Sequence, residues 1–222
     1  TARRLMAETG ADEVLLVGDG TDPEVDDFPA EYRALLHDVS IRYVDLNAEA
    51  LFPAAPAVAL IDTAQADELT TTRPLYADLE GSRESVAVAP GVGYTIQTLS
   101  PSGAPQPAVA LDEPPLLANF VRLLGHGVPR FTPEGMVWDV YWRTADNPEA
   151  ADYHIFNHLL DVGGTRVGQA DAAAFAADQW RAGDRVLSRF LLPLTADATP
   201  PLTMRVGMYR YPTLENVPVL DE

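Results

Sequence analysis

Five of the chain's nineteen prolines fall between residues 101 and 115, and the hydrophobic pattern differs on their two sides. Proline has no N–H to give to a β ladder, so this stretch is a connection or an edge strand. The domain boundary is placed here. Before it lie four strand-length segments: Glu13-Val-Leu-Leu-Val-Gly18, Ile41-Arg-Tyr-Val-Asp45, Ala57-Val-Ala-Leu-Ile-Asp62 and Ser85-Val-Ala-Val-Ala89. The first is a continuous apolar run closed by Gly, the look of a strand buried on both faces, and the other three read as further strands. Phe28, Tyr32, Leu35 and Leu36 recur at helical spacing, with Pro29 in the first turn, where its missing N–H costs least. Strands separated by helices predict a small, mostly parallel α/β unit over residues 1–100.

Beyond the prolines the period changes to two. Residues 119–125, 136–142, 152–160, 165–170, 185–192 and 202–209 are each strand-length. Between them lie turn signals such as Gly125-His-Gly-Val-Pro129, Asn147-Pro148, Gly163-Gly164, Ala182-Gly-Asp184 and Thr199-Pro-Pro201. Short strands at this spacing predict an antiparallel β-sandwich, jelly-roll or Ig-like, over residues 116–222. The Ala-rich stretch 172–180 breaks the pattern as a helical turn or a long loop. Trp138 and Trp142 share a strand face with Val140, which reads as core packing. Trp180, in a turn, is the better candidate for an exposed ring.

Composition excludes whole chemistries. There is no cysteine, which removes disulfides, thiolate nucleophiles and iron–sulfur clusters. The 15 basic residues are all arginine, and without lysine there is no Walker A loop, Schiff base or pyridoxal site. No cofactor is expected. A net charge of −18 repels phosphate backbones, so no nucleic-acid partner is expected. The longest apolar runs fall far short of the roughly 18 residues of a membrane helix.

The remaining motifs are weak. Gly-x-Gly occurs at Gly18/Gly20, Gly91/Gly93 and Gly125/Gly127 without the third glycine of a dinucleotide fingerprint. His154 and His158 could share a zinc ion on a helix, but Ile155 replaces the general-base Glu. On a strand the two rings stand about 13 Å apart, too far for one ion, so no transition-metal site is predicted. Calcium stays open at Asp161, Asp171 and Asp184, which lie near turns. None of the serines lies in Gly-x-Ser-x-Gly, and no catalytic residue is assigned. With 33 acidic residues, a pair of carboxylates for sugar hydrolysis is always available. A free-standing soluble hydrolase acting on carbohydrate is therefore the second reading.

One longer constellation stands out: His154-Ile-Phe-Asn-His158-Leu-Leu-Asp161, Gln169-Ala-Asp171, Trp180-Arg-Ala-Gly183-Asp184, Leu192-Pro193 and Arg205-Val-Gly207-Met-Tyr209. It resembles the extracytoplasmic C-terminal region of bacterial membrane glycosyltransferases related to the dolichyl-phosphate-mannose mannosyltransferases, glycosyltransferase family 39. The resemblance covers about residues 117–222. It departs from the pattern at Asp184, where Glu is usual, at Ser188, where Asp is common, and around Asn216-Val217, where an Arg-Leu pair closes the family pattern. It implies a non-catalytic accessory domain at the extracytoplasmic face of the membrane, attached to the transmembrane portion of its parent chain and contacting glycan or acceptor. The residues expected to meet such a ligand are Trp180, Tyr209, His154, His158, Asp171 and Asp184: rings for stacking, carboxylates and imidazoles for hydroxyl groups.

Overall fold

The structure, a computed structural model, describes residues 1–63, 67–89, 92–145, 149–195 and 200–220. The turn signal at Asn147-Pro148, Gly91 and Thr199 lie outside them. Strands hold 46% of the chain and helices 14%, so the fold is β-rich, with several antiparallel sheets. The chain divides into two compact units. One is Thr1–Pro105 with Asp184–Val186, the other Gln106–Gly183 with Leu187–Glu222.

The first unit runs α1 (Ala2–Thr9), β1 (Glu13–Gly18), α2 (Asp27–Leu35), β2 (Ser40–Asp45), β3 (Glu49–Phe52), β4 (Ala57–Asp62), α3 (Arg73–Ala77), β5 (Arg83–Ala89) and β6 (Val92–Leu99). Helix α1 stops at Gly10, whose φ of 70° turns its amide back to the Met6 carbonyl. The sheet order is β2-β1-β4-β6-β5. Strand β1 pairs in parallel with β2 and β4, whereas β4–β6 and β6–β5 are antiparallel. The sheet is thus mixed, where the sequence pattern predicts a mostly parallel one. The reason is β6, which follows β5 after two residues. A parallel crossover needs a dozen or more. All six residues of β1 are buried. Val14 and Leu16 join Leu5 of α1, Leu36, Val58, Leu60 and Ile96 in one core. Alternation sends Leu15 and Val17, also buried, to the opposite face.

The second unit adds β7 (Val109–Ala110), β8 (Leu116–Leu117), β9 (Val121–His126), β10 (Arg130–Thr132), β11 (Gly135–Thr144), β12 (Tyr153–Leu160), β13 (Arg166–Ala173), β14 (Arg185–Leu192), β15 (Thr203–Arg210), β16 (Glu215–Asn216) and β17 (Val219–Leu220). Of β14, the first two residues belong to the first unit. One sheet runs β17-β8-β9-β11-β14, with β7 on β9 and β10 on β11. The other runs β13-β12-β15-β16 and is antiparallel throughout. The turn between β8 and β9 meets β15 where Asn119 Nδ2 donates to Met208 Sδ at 3.4 Å. Trp138 and Trp142 pack inward, 5% and 0% exposed. The Ala-rich stretch holds a 3-10 turn at Ala177–Gln179. Among the described residues no helix is long and apolar enough to cross a membrane.

Candidate functional site on the four-stranded sheet

Burial alternates along β12. Tyr153, Ile155, Asn157 and Leu159 are buried, while His154, Phe156, His158 and Leu160 are partly exposed on the other face. Directly paired residues of an antiparallel ladder share a face, so the register decides what joins them. His154 lies between Ala173 and Tyr209, Phe156 between Asp171 and Gly207, and His158 between Gln169 and Arg205. Tyr209 in turn pairs with Asn216 of β16. The β12–β13–β15–β16 sheet therefore gathers His154, His158, Asp171 and Tyr209, four of the six expected residues, on one outward face.

The face is aromatic along one side and polar along the other. The His154 ring stacks on Tyr211, with centroids 4.6 Å apart and planes 16° apart, and lies 5.4 Å from Tyr209. The Tyr209 hydroxyl is 3.3 Å from His154 Nδ1. Phe156 lies 5.1 Å from His158 and crosses the backbone of Gly207, where a Cβ would come within 2.5 Å of its Cζ. With a Cβ at this position the ring would have to shift. On the polar side, Gln169 Nε2 donates to Asp171 Oδ2 at 3.3 Å, and His158 Nε2 is 3.6 Å from Asp171 Oδ1. Phe156, His158, Asp171, Arg205, Tyr209, Leu214 and Asn216 line a depression of about 410 Å³. Leu214, in its lining, is 66% exposed, and Tyr211, stacked on His154, is 53% exposed.

Burial, with the charges of Asp171 and Tyr211 adding to it, pushes the Tyr209 phenol up, so at neutral pH it is an uncharged donor and acceptor. The Asp171 carboxylate accepts, Arg205 donates, and Asn216 does both. The His158–Asp171 separation exceeds hydrogen-bond length, and no serine or threonine lines the depression. The arrangement offers ring faces and hydroxyl partners.

Two expected residues are elsewhere. Trp180 is 8% exposed, its ring 6.0 Å from Phe175 and its Nε1 donating to the Phe175 carbonyl. The turn that was expected to expose the indole folds it inward, because an indole face is large and apolar and its N–H finds a carbonyl there. Asp184 belongs to the first unit and is buried, 1% exposed. One of its oxygens pairs with Arg42 Nη1 and the other accepts from Ala54 N at 3.0 Å. Arg42 also holds Glu13, and all three side chains are no more than 2% exposed. Asp161 spends its Oδ1 on the amides of Gly163 and Thr165, at 2.9 and 2.8 Å, so it shapes a turn. Among the described residues no three potential metal ligands of the His, Cys, Asp and Glu types come together.

Phe156, Arg205, Tyr211, Asn216 and Leu214 are not among the residues expected from sequence to meet a ligand. For Phe156 the signal was available, since strand parity puts it between the two histidines. Tyr211, Leu214 and Asn216 arrive through the β15–β16 turn, which no local pattern marks. Comparison with protein-family models, curated proteins and solved structures finds no match for this chain.

Proposed function

We propose that the chain is a non-catalytic accessory domain of a membrane glycosyltransferase. It would stand at the extracytoplasmic face of the membrane, carried by the transmembrane portion of its parent chain, with the outer face of β12–β13–β15–β16 contacting glycan or acceptor. In this reading the second unit is a β-sandwich of jelly-roll or Ig-like kind, and the first a small α/β unit. One observation carries the contact: partly exposed rings of His154, Phe156, Tyr209 and Tyr211 beside Asp171, Arg205 and Asn216 on a single face. A pyranose has an apolar C–H face that covers a ring and hydroxyls that need donors and acceptors at its edge. Sites of this kind combine apolar walls with a few placed polar groups.

The hydrolase reading needs two carboxylates across one groove, about 5 to 10 Å apart. The depression is lined by one, Asp171, which favours binding without turnover. The test is paired. The purified chain is assayed with polyprenyl-phosphate sugars and with aryl glycosides, then titrated calorimetrically with α-mannobiose, lactose and N,N′-diacetylchitobiose. The expected result is no turnover and saturable binding of one of the disaccharides that Tyr209→Ala abolishes. Turnover by the isolated chain, or binding indifferent to Tyr209→Ala, would overturn the proposal.

A further inference from the structure

The first unit carries a second cavity, unrelated to the glycan face. Strand β1 lies between its parallel neighbours β2 and β4, so the crossover direction reverses at the carboxyl ends of β1 and β4. In open α/β sheets that is where ligands settle. The last residue of β4 is Asp62, paired directly with Tyr94 of β6, so the two side chains stand together on the face that carries Val58, Leu60 and Ile96. On the same side, α2 presents Asp27, Phe28, Glu31 and Tyr32, which its three- and four-residue spacing puts on one surface. These six residues, with Val88 and Gly93, line a cavity of about 340 Å³.

Its walls are unusual in chemistry. Phe28 and Tyr32 lie 4.9 Å apart with planes at 51°, and Tyr32 meets Tyr94 edge-on at 5.1 Å and 74°. All three rings line the cavity and also pack against the core cluster. Gly18 lies under Phe28, where a Cβ would sit 2.7 Å from Cδ1, so the ring is seated close against the end of β1. Asp27, Glu31 and Asp62 supply three carboxyl groups, and no basic side chain is among the lining residues. The amino end of α2 adds about half a positive charge, much less than three carboxylates.

We propose that this cavity binds an organic ammonium cation, with Phe28, Tyr32 and Tyr94 as π faces and Asp27, Glu31 and Asp62 as the surrounding negative charge. Ring quadrupoles attract a weakly hydrated cation placed over their faces, which is how aromatic cages take quaternary ammonium groups. A divalent metal ion would need oxygen ligands in the places the rings occupy. A phosphate-bearing ligand would meet three like charges.

The test is calorimetric titration of the whole chain with choline and with 3,3-dimethylbutan-1-ol, its uncharged isostere, in 150 mM sodium chloride. Choline should bind saturably and the alcohol at least roughly tenfold more weakly, since the shape is kept and only the charge is lost. Tyr94→Leu should weaken choline roughly tenfold and Tyr94→Phe, which keeps the ring, by no more than about threefold. The exposed Glu31→Gln cannot unfold the unit and should weaken choline about threefold. Equal binding of choline and the alcohol, absence of saturable choline binding at this salt, or binding unchanged in both Tyr94→Leu and Glu31→Gln would overturn the proposal.

Discussion

Two sets of polar side chains in this molecule have opposite fates. In the first unit Arg42, Glu13 and Asp184 are almost wholly buried and joined to one another. On the outer face of the second unit His154, His158, Asp171 and Tyr209 are partly exposed, and their contacts with one another are long, 3.3 Å and 3.6 Å for the closest pairs. A buried charge must be matched by partners or it costs several kcal/mol. An exposed one keeps hydrogen-bonding capacity in reserve. Asp171 and Asp184 sit in the same run of motif residues, yet burial makes one a structural counter-ion and leaves the other available to a ligand.

The largest effect expected on this contrast is from Asp184→Ala. It leaves part of the Arg42 charge buried without its partner and should destabilise the first unit by about 3 to 5 kcal/mol, read from urea unfolding. Loss of less than about 1 kcal/mol would mean that Asp184 is an exposed turn residue after all.

Glu49 sharpens the same point, because it is buried beside Asp45 rather than beside a guanidinium. Burial, with the Asp45 charge adding to it, pushes its carboxyl up to about 8 from an ordinary value of 4.5. Between those values the folded chain holds a proton that the unfolded chain has released, so stability is complete below 4.5 and is lost as the pH rises through 8. Glu49→Gln should therefore match the parent near pH 4.5 and exceed it by a few kcal/mol at pH 9. Parallel pH profiles of the two proteins would remove Glu49 from the account.

The contrast was only half readable from sequence. Strand parity on β12 pairs His154 with His158, and alternation around Trp138 and Trp142 places both in the core, because these follow from a local period of two. Asp184 was out of reach: its partner Arg42 is 142 residues away, and a short-range pattern reports turns, not long-range ion pairs. The orientation of Trp180 failed for a similar reason, since the Phe175 carbonyl that takes its N–H becomes its neighbour only through the 3-10 turn. The antiparallel β6 is hard to see in sequence because Val92–Leu99 opens on the Gly91/Gly93 pair, which reads as a turn or loop. Its Thr95, Gln97 and Thr98 also interrupt the apolar run that marked the other strands.

Smaller effects are expected on the outer face. Gly207→Ala puts a methyl group 2.5 Å from the tip of the Phe156 ring, and the ring can swing away. Stability should fall by less than about 1 kcal/mol, while disaccharide binding falls severalfold because the platform has moved. His154→Ala should change stability by no more than about 0.5 kcal/mol and still lower binding, since it removes the ring stacked on Tyr211. A thermal melt and a calorimetric titration on each variant separate the two quantities.

The most direct test of the central claim is a map of amide chemical-shift changes in the whole chain as α-mannobiose, lactose or N,N′-diacetylchitobiose is added. The account predicts saturable shifts for at least one of them, concentrated at residues 154–158, 169–171, 205–211 and 214–216, with Trp180 and Asp184 silent. Shifts centred on Trp180 and Asp184, or none with any of the three, would contradict it.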